Sequence, residues 1–338
     1  MANQRPTRVG VLGAGSISDY HIQGLQAAGA EVVALFSRSE AKVRQQANKY
    51  GIPNATTRYQ DVLARDDVDA VIIATPDFTH EEIALATAHA GKPLLVQKPM
   101  ARTAQECRHI IAAAQQAGVP LYVSYMHRYF GEIERARQLL AEQTLGAITL
   151  VRQRNATPGA NWAAWFYRQD QVGGGAMMQI GIHGLDLLRY LFGEIVAVKA
   201  TMATTLQQRE LLDGSIVEPD NEDLALATYR FASGVMATHE VSYTEVVGTD
   251  RFRMEIYGTR GTAWLRTEKG ALAVNTGQGW AALAIPAGAV GWRHHRHWLA
   301  MLRGEEPVDH SAQDSLATAL VAEAIYRSAK KEDWEKVV

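Results

Sequence analysis

The chain has 338 residues, 47% of them hydrophobic and 21% charged, with a formal net charge of −2 at pH 7. That length suggests two domains, each with enough apolar material for its own core, and the balanced charge leaves no broad basic field to draw the protein to nucleic acid or an anionic membrane. No apolar run approaches the ~20 residues of a membrane span, and the opening Met-Ala-Asn-Gln-Arg-Pro-Thr-Arg lacks the apolar centre of a secretory signal. A cytoplasmic protein with small neutral or modestly charged ligands is expected, with neither nucleic acid nor membrane as partner. The single cysteine, Cys107, cannot form an internal disulfide and falls in a helical pattern, which points to packing.

Arg8 to Gly13 reads as a short buried strand. It ends in Gly13-Ala-Gly15-Ser16-Ile17-Ser18, ahead of a helix through about Ala28. This is the dinucleotide fingerprint with its third glycine replaced by Ser18. Gly13 permits the tight turn, Gly15 lets the backbone approach a pyrophosphate, and the helix N-terminus offers N–H groups, so Gly13, Gly15, Ser16 and Ile17 are candidate cofactor contacts. An ordinary turn is the alternative, because the motif alone is not specific. A strand from Glu31 to Phe36 follows. Where an acid would bind a ribose 2′-hydroxyl stand Ser37, Arg38 and Ser39, which suit a 2′-phosphate and favour NADP over NAD. The alternative is that Arg38 is a solvated charge at a strand end.

Strand and helix keep alternating: a helix from about Glu40 to Tyr50, a strand near Ala55, a helical turn around Tyr59 to Ala64 and a strand from Ala70 to Ala74. The alternation predicts a parallel sheet with crossovers. Thr75-Pro76-Asp77 breaks the chain where doubly wound sheets bind ligands, and Thr79-His80 opens the next helix. Thr75, Pro76 and His80 are therefore cofactor candidates, or merely a turn and an N-cap. The strand Leu94 to Val96 closes with Gln97-Lys98-Pro99, and a lysine at that tip points where a cofactor's reactive ring would lie, unless it is a surface lysine. A helix from about Thr103 to Ala117 and a strand from Leu121 to Ser124 complete a first domain, residues 1–126.

In residues 127–338 the pattern becomes that of an α+β domain with a large, mainly antiparallel open sheet. A helix from about Ile133 to Glu142 precedes strand segments at Ile148 to Arg154, Val196 to Leu206, Leu224 to Phe231, Val235 to Tyr243, Phe252 to Tyr257, Thr262 to Arg266 and Leu272 to Asn275. Tyr125, His127, Trp165 and Arg168 are candidate contacts to a polyol or sugar, whose C–H faces aromatic rings cover; ordinary packing is the alternative. After Gly173-Gly-Gly, helical spacing sets an apolar stripe of Met178, Ile182, Leu185, Leu188 and Phe192 beside a polar row of Gln179, His183, Asp186 and Tyr190. Such a row is either paired internally or aimed into a cleft. The run Arg293-His-His-Arg-His297 is expected to be a solvated helix face and not a metal site, since its arginines would repel a cation. A last helix, about Ala312 to Ala329, should dock on the body.

In their order and spacing, Gly13-x-Gly15-x-x-Ser18, Thr75-Pro76, Lys98-Pro99, the Gly173-Gly-Gly run with His183 and Asp186, and Gly258-Thr-Arg-Gly261 resemble the Gfo/Idh/MocA oxidoreductase family across essentially the whole chain. The resemblance implies an α/β Rossmann domain followed by a domain whose open sheet forms a subunit interface, hence a homo-oligomer, dimer or tetramer. It implies NAD(P)-dependent oxidation of a sugar or cyclitol, or reduction of its ketone. It also implies that Lys98 lies in the active site on a Glu-Lys-Pro motif, often with a cis proline bond, and that His183 is the proton acceptor. Two positions depart from the family: Gln97 stands where Glu is common, and Gln179 where Asp is common. Each keeps an amide and loses a carboxylate, and a lysine without anionic neighbours is more easily neutral near pH 7; a site that has lost its tuning is the alternative.

The chemistry expected is hydride transfer between a secondary alcohol and nicotinamide, with Lys98, His183 and Gln179 as the catalytic group. His183 takes the hydroxyl proton, Lys98 hydrogen-bonds the same oxygen, and Gln179, one helical turn away, orients the imidazole or the substrate. The alternatives are a non-catalytic sensor of NADP and sugar, and an enzyme that uses a retained cofactor for redox-assisted glycoside cleavage.

Overall fold

The computed structural model describes residues 5–245, 247, 251–266, 271–285 and 287–338; the absence of a signal sequence was read partly from residues 1–4, which lie outside the described residues. Packing divides the chain into two compact units. One holds the residues up to Ala101 with Gln105–Met126 and Gly288–Leu316, the other Arg102–Ala104, His127–Ala287 and Ala317–Val338.

The first unit is built from β1 (Arg8–Leu12), α1 (Ser16–Ala27), β2 (Glu31–Phe36), α2 (Glu40–Tyr50), β3 (Asn54–Thr56), α3 (Tyr59–Leu63), β4 (Ala70–Ile73), α4 (His80–His89), β5 (Leu94–Gln97), α5 (Ala104–Ala117) and β6 (Leu121–Ser124). Among the described residues the strands form a six-stranded sheet in the order β3-β2-β1-β4-β5-β6, with every pairing parallel. Helices cover both faces of such a sheet, which explains why β4, β5 and β6 are buried at every position and read as apolar runs. Local signals set the helix ends. Ser39 accepts a hydrogen bond from the Lys42 N–H at the start of α2, and Gly51 closes it at φ 66°, a conformation that costs glycine little. The strand order reverses between β1 and β4, so the loops that diverge there leave a crevice at the carboxyl edge.

The second unit contains α6 (Gly131–Ala141), β7 (Ile148–Ala156), α7 (Ile182–Phe192), β8 (Ile195–Ala203), a small hairpin of β9 (Arg209–Glu210) and β10 (Ile216–Val217), then β11 (Leu224–Phe231), β12 (Met236–Ser242), β13 (Phe252–Gly258), β14 (Gly261–Arg266), β15 (Ala271–Asn275) and β16 (Trp280–Ala282). The chain continues with α8 (Val290–Leu302), α9 (Ser311–Lys331) and β17 (Glu335–Lys336). Among the described residues the large sheet has nine strands in the order β16-β15-β14-β13-β7-β12-β11-β8-β17. It is antiparallel except for β12 beside β7, which pair parallel in the middle. Burial alternates along β11 and β12, so one face is dry and the other is open. Helix α7 belongs to the dry face: a β-carbon on Gly184 would come within 2.0 Å of Asn155 Oδ1 in β7, a closeness only glycine tolerates. The strands β9, β10, β16 and β17 are too short to show a two-residue period, and the sequence does not reveal them.

One expectation is overturned in α8. The histidine-rich run is not a solvated face, because His294 and His295 are fully buried. Helical spacing turns these two inward with Trp298 and Leu299, while Arg296 remains exposed. Trp298 and Leu299 join Val9, Ile22, Leu35 and Ile72 in the core of the first unit, so a helix that lies far along the sequence from β6 completes that core.

Candidate active site

At the carboxyl edge of the six-stranded sheet, Gly13 has φ +128° and an added β-carbon would meet Ala74 O at 2.3 Å. The loop after β1 thus crosses the end of β4 at backbone contact, and the Gly13 N–H donates to Phe36 O at 2.9 Å. Gly15 is different: among the described residues, nothing lies within 4 Å of where its β-carbon would be. Its backbone faces open space at the start of α1, where Gly15 as N-cap has no side chain to occupy the first N–H groups of the helix. The residues present therefore fit a dinucleotide pyrophosphate, which needs glycine for close approach and free N–H groups at a helix N-terminus. Ser16 and Ile17 form the first turn of α1 there. Ser18 takes the place of the third glycine and is fully buried; its hydroxyl accepts a hydrogen bond from the Gly15 N–H at 3.1 Å, which tightens the turn.

Ser37 and Arg38 follow β2 at the same edge. The Ser37 hydroxyl accepts from the Ser39 N–H at 3.3 Å, and the exposed Arg38 guanidinium lies 5.8 Å from the centre of the Phe78 ring. After β4, the Thr79 hydroxyl donates to Thr75 Oγ1 at 2.8 Å, and Pro76 precedes a single 3₁₀ turn, Asp77–Thr79. His80 is fully buried. Its ring nitrogens face Thr75 O at 2.8 Å and Pro99 O at 3.0 Å, so it braces the β4 tip against the β5 tip. The Lys98–Pro99 peptide is cis. Lys98 is partly buried beside the buried Gln97.

In the second unit, Gln179 and His183 are both buried, and the segment before α7 departs from the expected α-helical spacing. Met177–Gly181 forms a turn of π-helix, which widens the backbone ring and offsets residues four apart, so Gln179 and His183 do not follow a regular α-helical face. The polar row is mostly paired internally. Arg128 grips Asp186 with two hydrogen bonds, Nε to Oδ2 at 2.9 Å and Nη2 to Oδ1 at 2.5 Å; their side chains are only 10% and 1% exposed. Arg137 donates to the Tyr190 hydroxyl at 2.9 Å. The His183 ring stacks on His127 at 3.9 Å and 10°, with Phe252 at their edges. His127 thus supports the imidazole itself.

The other candidate contacts divide. Tyr125 is buried, with its hydroxyl donated to Ser315 Oγ at 3.0 Å. Trp165 is partly buried and stacks on Phe166 at 3.8 Å, and Arg168 is exposed.

Sequence reasoning missed Glu222. Its carboxylate accepts the Gly175 N–H at 2.8 Å, the Met177 N–H at 3.0 Å and the Tyr326 hydroxyl at 2.8 Å. Burial pushes this carboxyl above its ordinary range, and the three donors pull the other way. The last glycine of the run is explained by the same segment, since a β-carbon on Gly175 would meet the Glu222 backbone carbonyl at 1.9 Å. No spacing in the sequence links positions 175 and 222. Arg128 was missed as well, because only the fold brings it to Asp186.

Two family descriptions match the chain, "Oxidoreductase family, NAD-binding Rossmann fold" over residues 7–125 and "GFO/IDH/MocA C-terminal domain" over residues 133–264. Levoglucosan dehydrogenase of Pseudarthrobacter phenanthrenivorans is 27% identical over 337 residues, covering 87% of this chain and 86% of its own. Myo-inositol 2-dehydrogenase of Thermotoga maritima is 25% identical over 255 residues, covering 75% and 73%. The solved structure of an aldose-aldose oxidoreductase from Caulobacter crescentus complexed with glycerol is 26% identical, with a TM-score of 0.87 over 98% of this chain and 100% of that one. Levoglucosan dehydrogenase in complex with NADH and L-sorbose, at 24% identity, shares the fold with a TM-score of 0.91 over 99% and 100%.

The ion pair on α7 carries a stability prediction. Asp186→Asn removes a buried carboxylate from a two-bonded pair with the Arg128 guanidinium, and the unfolding free energy in denaturant should fall by up to roughly 3–5 kcal/mol. An unchanged midpoint would mean that the Arg128–Asp186 pair does not hold α7.

Proposed function

This chain belongs to the Gfo/Idh/MocA oxidoreductase family, and from that premise we propose that it transfers hydride between a secondary alcohol of a sugar or cyclitol, or the corresponding ketone, and NAD(P). The observation that carries most weight is the carboxyl edge of the first sheet. There the unobstructed backbone at Gly15 and the free start of α1 share an edge with the β5 tip that bears Lys98. NAD(P), when bound, supplies the hydride acceptor or donor.

Oxidising an alcohol removes a proton from oxygen as well as a hydride from carbon, so a base must meet the hydroxyl. We assign that proton to His183, whose ring His127 holds by stacking. Lys98 donates a hydrogen bond to the same oxygen and stabilises its developing negative charge, and Gln179 orients the imidazole or the substrate. Arg38, with Ser37, neutralises a 2′-phosphate, which favours NADP over NAD. The aromatic pair Trp165 and Phe166, with Arg168, supplies contacts to a polyol.

The open face of the nine-stranded sheet supports a homo-oligomer. It carries interleaved charges of both signs, including Arg154 bonded to Glu240 at 3.1 Å and Arg152 near Glu255 at 3.5 Å, beside Leu226, which is 52% exposed. A surface of both signs with an apolar centre can pair with its own copy about a two-fold axis.

Three measurements test these proposals. His183→Ala should lower kcat by roughly 10²–10⁴-fold while cofactor affinity stays unchanged, and wild-type turnover would overturn the base assignment. It is best read with a panel of sugars and cyclitols followed at the reduced nicotinamide absorbance, where binding without turnover would identify a sensor. Arg38→Ala should cost about 1.5–3 kcal/mol of NADP affinity and none of NAD affinity; a wild-type protein that binds NAD more tightly rejects the preference. Sedimentation should show a dimer or tetramer that Leu226→Asp dissociates, whereas a wild-type monomer rules out the interface.

A further inference from the structure

Helices α1 and α8 meet with no side chain between them at Gly24, where a β-carbon would lie 2.3 Å from His295 Nδ1 and 2.8 Å from Gly291 O. That approach buries His21 and His295 completely. His21 Nδ1 lies 2.9 Å from His295 Nε2. At one end of the pair, His295 Nδ1 is 2.6 Å from Gly291 O. At the other, His21 Nε2 is 3.2 Å from Oε1 of Gln97, the residue before Lys98. A continuous file of polar atoms runs from a backbone carbonyl in α8 to the tip of β5.

The positions of the protons follow from the ends of this file. A carbonyl oxygen only accepts, so His295 carries its proton on Nδ1. Burial disfavours the charged imidazole: desolvation pushes His21 well below its ordinary range and His295 down to about 4. The rings packed around the pair are those of Tyr20, 5.3 Å from each, and His294, 4.8 Å from His295 and 6.4 Å from His21. Neither supplies a negative charge, because burial also raises the Tyr20 hydroxyl and lowers His294. Both members of the pair are therefore neutral near pH 7. With Nδ1 of His295 protonated, its Nε2 accepts and His21 Nδ1 donates. His21 Nε2 is left with a lone pair, which needs an N–H.

We propose that His21 and His295 are positioning residues for Gln97, holding its amide with the N–H donated to His21 Nε2, and that this neutral relay is completed by an amide at position 97 and broken by a carboxylate. This requires the Gln97 amide turned by half a revolution from the orientation above, which exchanges Oε1 for Nε2 at the same 3.2 Å separation. A glutamate has no N–H to give. It would require the proton on His21 Nε2, leaving two bare lone pairs opposed between the rings unless the pair took up a proton. The relay thereby holds the end of β5, and its bearing on turnover rests on the role proposed for Lys98, whereas the tautomers do not.

Nitrogen NMR of the full-length protein with ¹⁵N-labelled histidine tests this, with His21→Asn and His295→Gln giving the assignments. In the wild type near pH 7 both Nε2 atoms should resonate as unprotonated and both Nδ1 atoms as protonated. Gln97→Glu should move the pair to a protonated state and lower the thermal midpoint by several degrees. In the His295→Gln background the same change should cost much less, because a glutamine at 295 can donate to His21 Nδ1 while His21 Nε2 donates to the glutamate. A protonated Nε2 on His21 in the wild type overturns the proposal, and so does an equal cost of Gln97→Glu in the two backgrounds. The stated tautomers in a protein that turns over no sugar would uphold the relay and count against the reaction.

Discussion

Two buried carboxylates hold the helix that presents His183. Glu222 takes the N–H groups of Gly175 and Met177 at its start, and Asp186 is gripped by Arg128 one turn beyond the histidine. Neither acid is near its own donors in sequence, and each has exchanged hydration for fixed partners, which is tolerable only when geometry supplies full hydrogen bonding. Between them the chain makes a turn of π-helix, an irregularity that ordinary helical preference would remove. The dry face of the large sheet and the glycines at 175 and 184 let the helix sit close enough for these contacts to form.

A comparable economy governs the first unit. The loop after β1 presses on the end of β4 at Gly13, and His80 bridges the carbonyls of Thr75 and Pro99, so the strand tips at the carboxyl edge are tied to one another through backbone atoms. Such ties suit a site where a ligand must meet atoms from several strands at fixed separations. Behind the edge, α8 closes the core and contributes His295 to the polar file that ends at Gln97.

Gln97 and Gln179 are buried amides at positions where the family commonly has a carboxylate. Beside Gln97 the buried His21 and His295 are held neutral by desolvation. A neutral amide adds hydrogen bonds there without adding a buried charge.

Much of this was legible in the chain itself, for reasons that are local. The boundaries of β2, α2, β6 and β11 follow from apolar runs, two-residue periods and cap residues, and the Gly13 to Ser18 motif identifies a nucleotide edge because glycine and a helix start act through their own backbone. The order and spacing of a few motifs sufficed for the family. What periodicity does not carry is the meeting of remote polar groups. Glu222 under the triple glycine, Arg128 on Asp186, His127 against His183 and the inward turn of His294 and His295 each join segments whose separation in sequence has no bearing on their distance in space. Only tertiary packing decided these, since a buried polar atom is satisfied by whichever partner the fold brings within hydrogen-bonding reach.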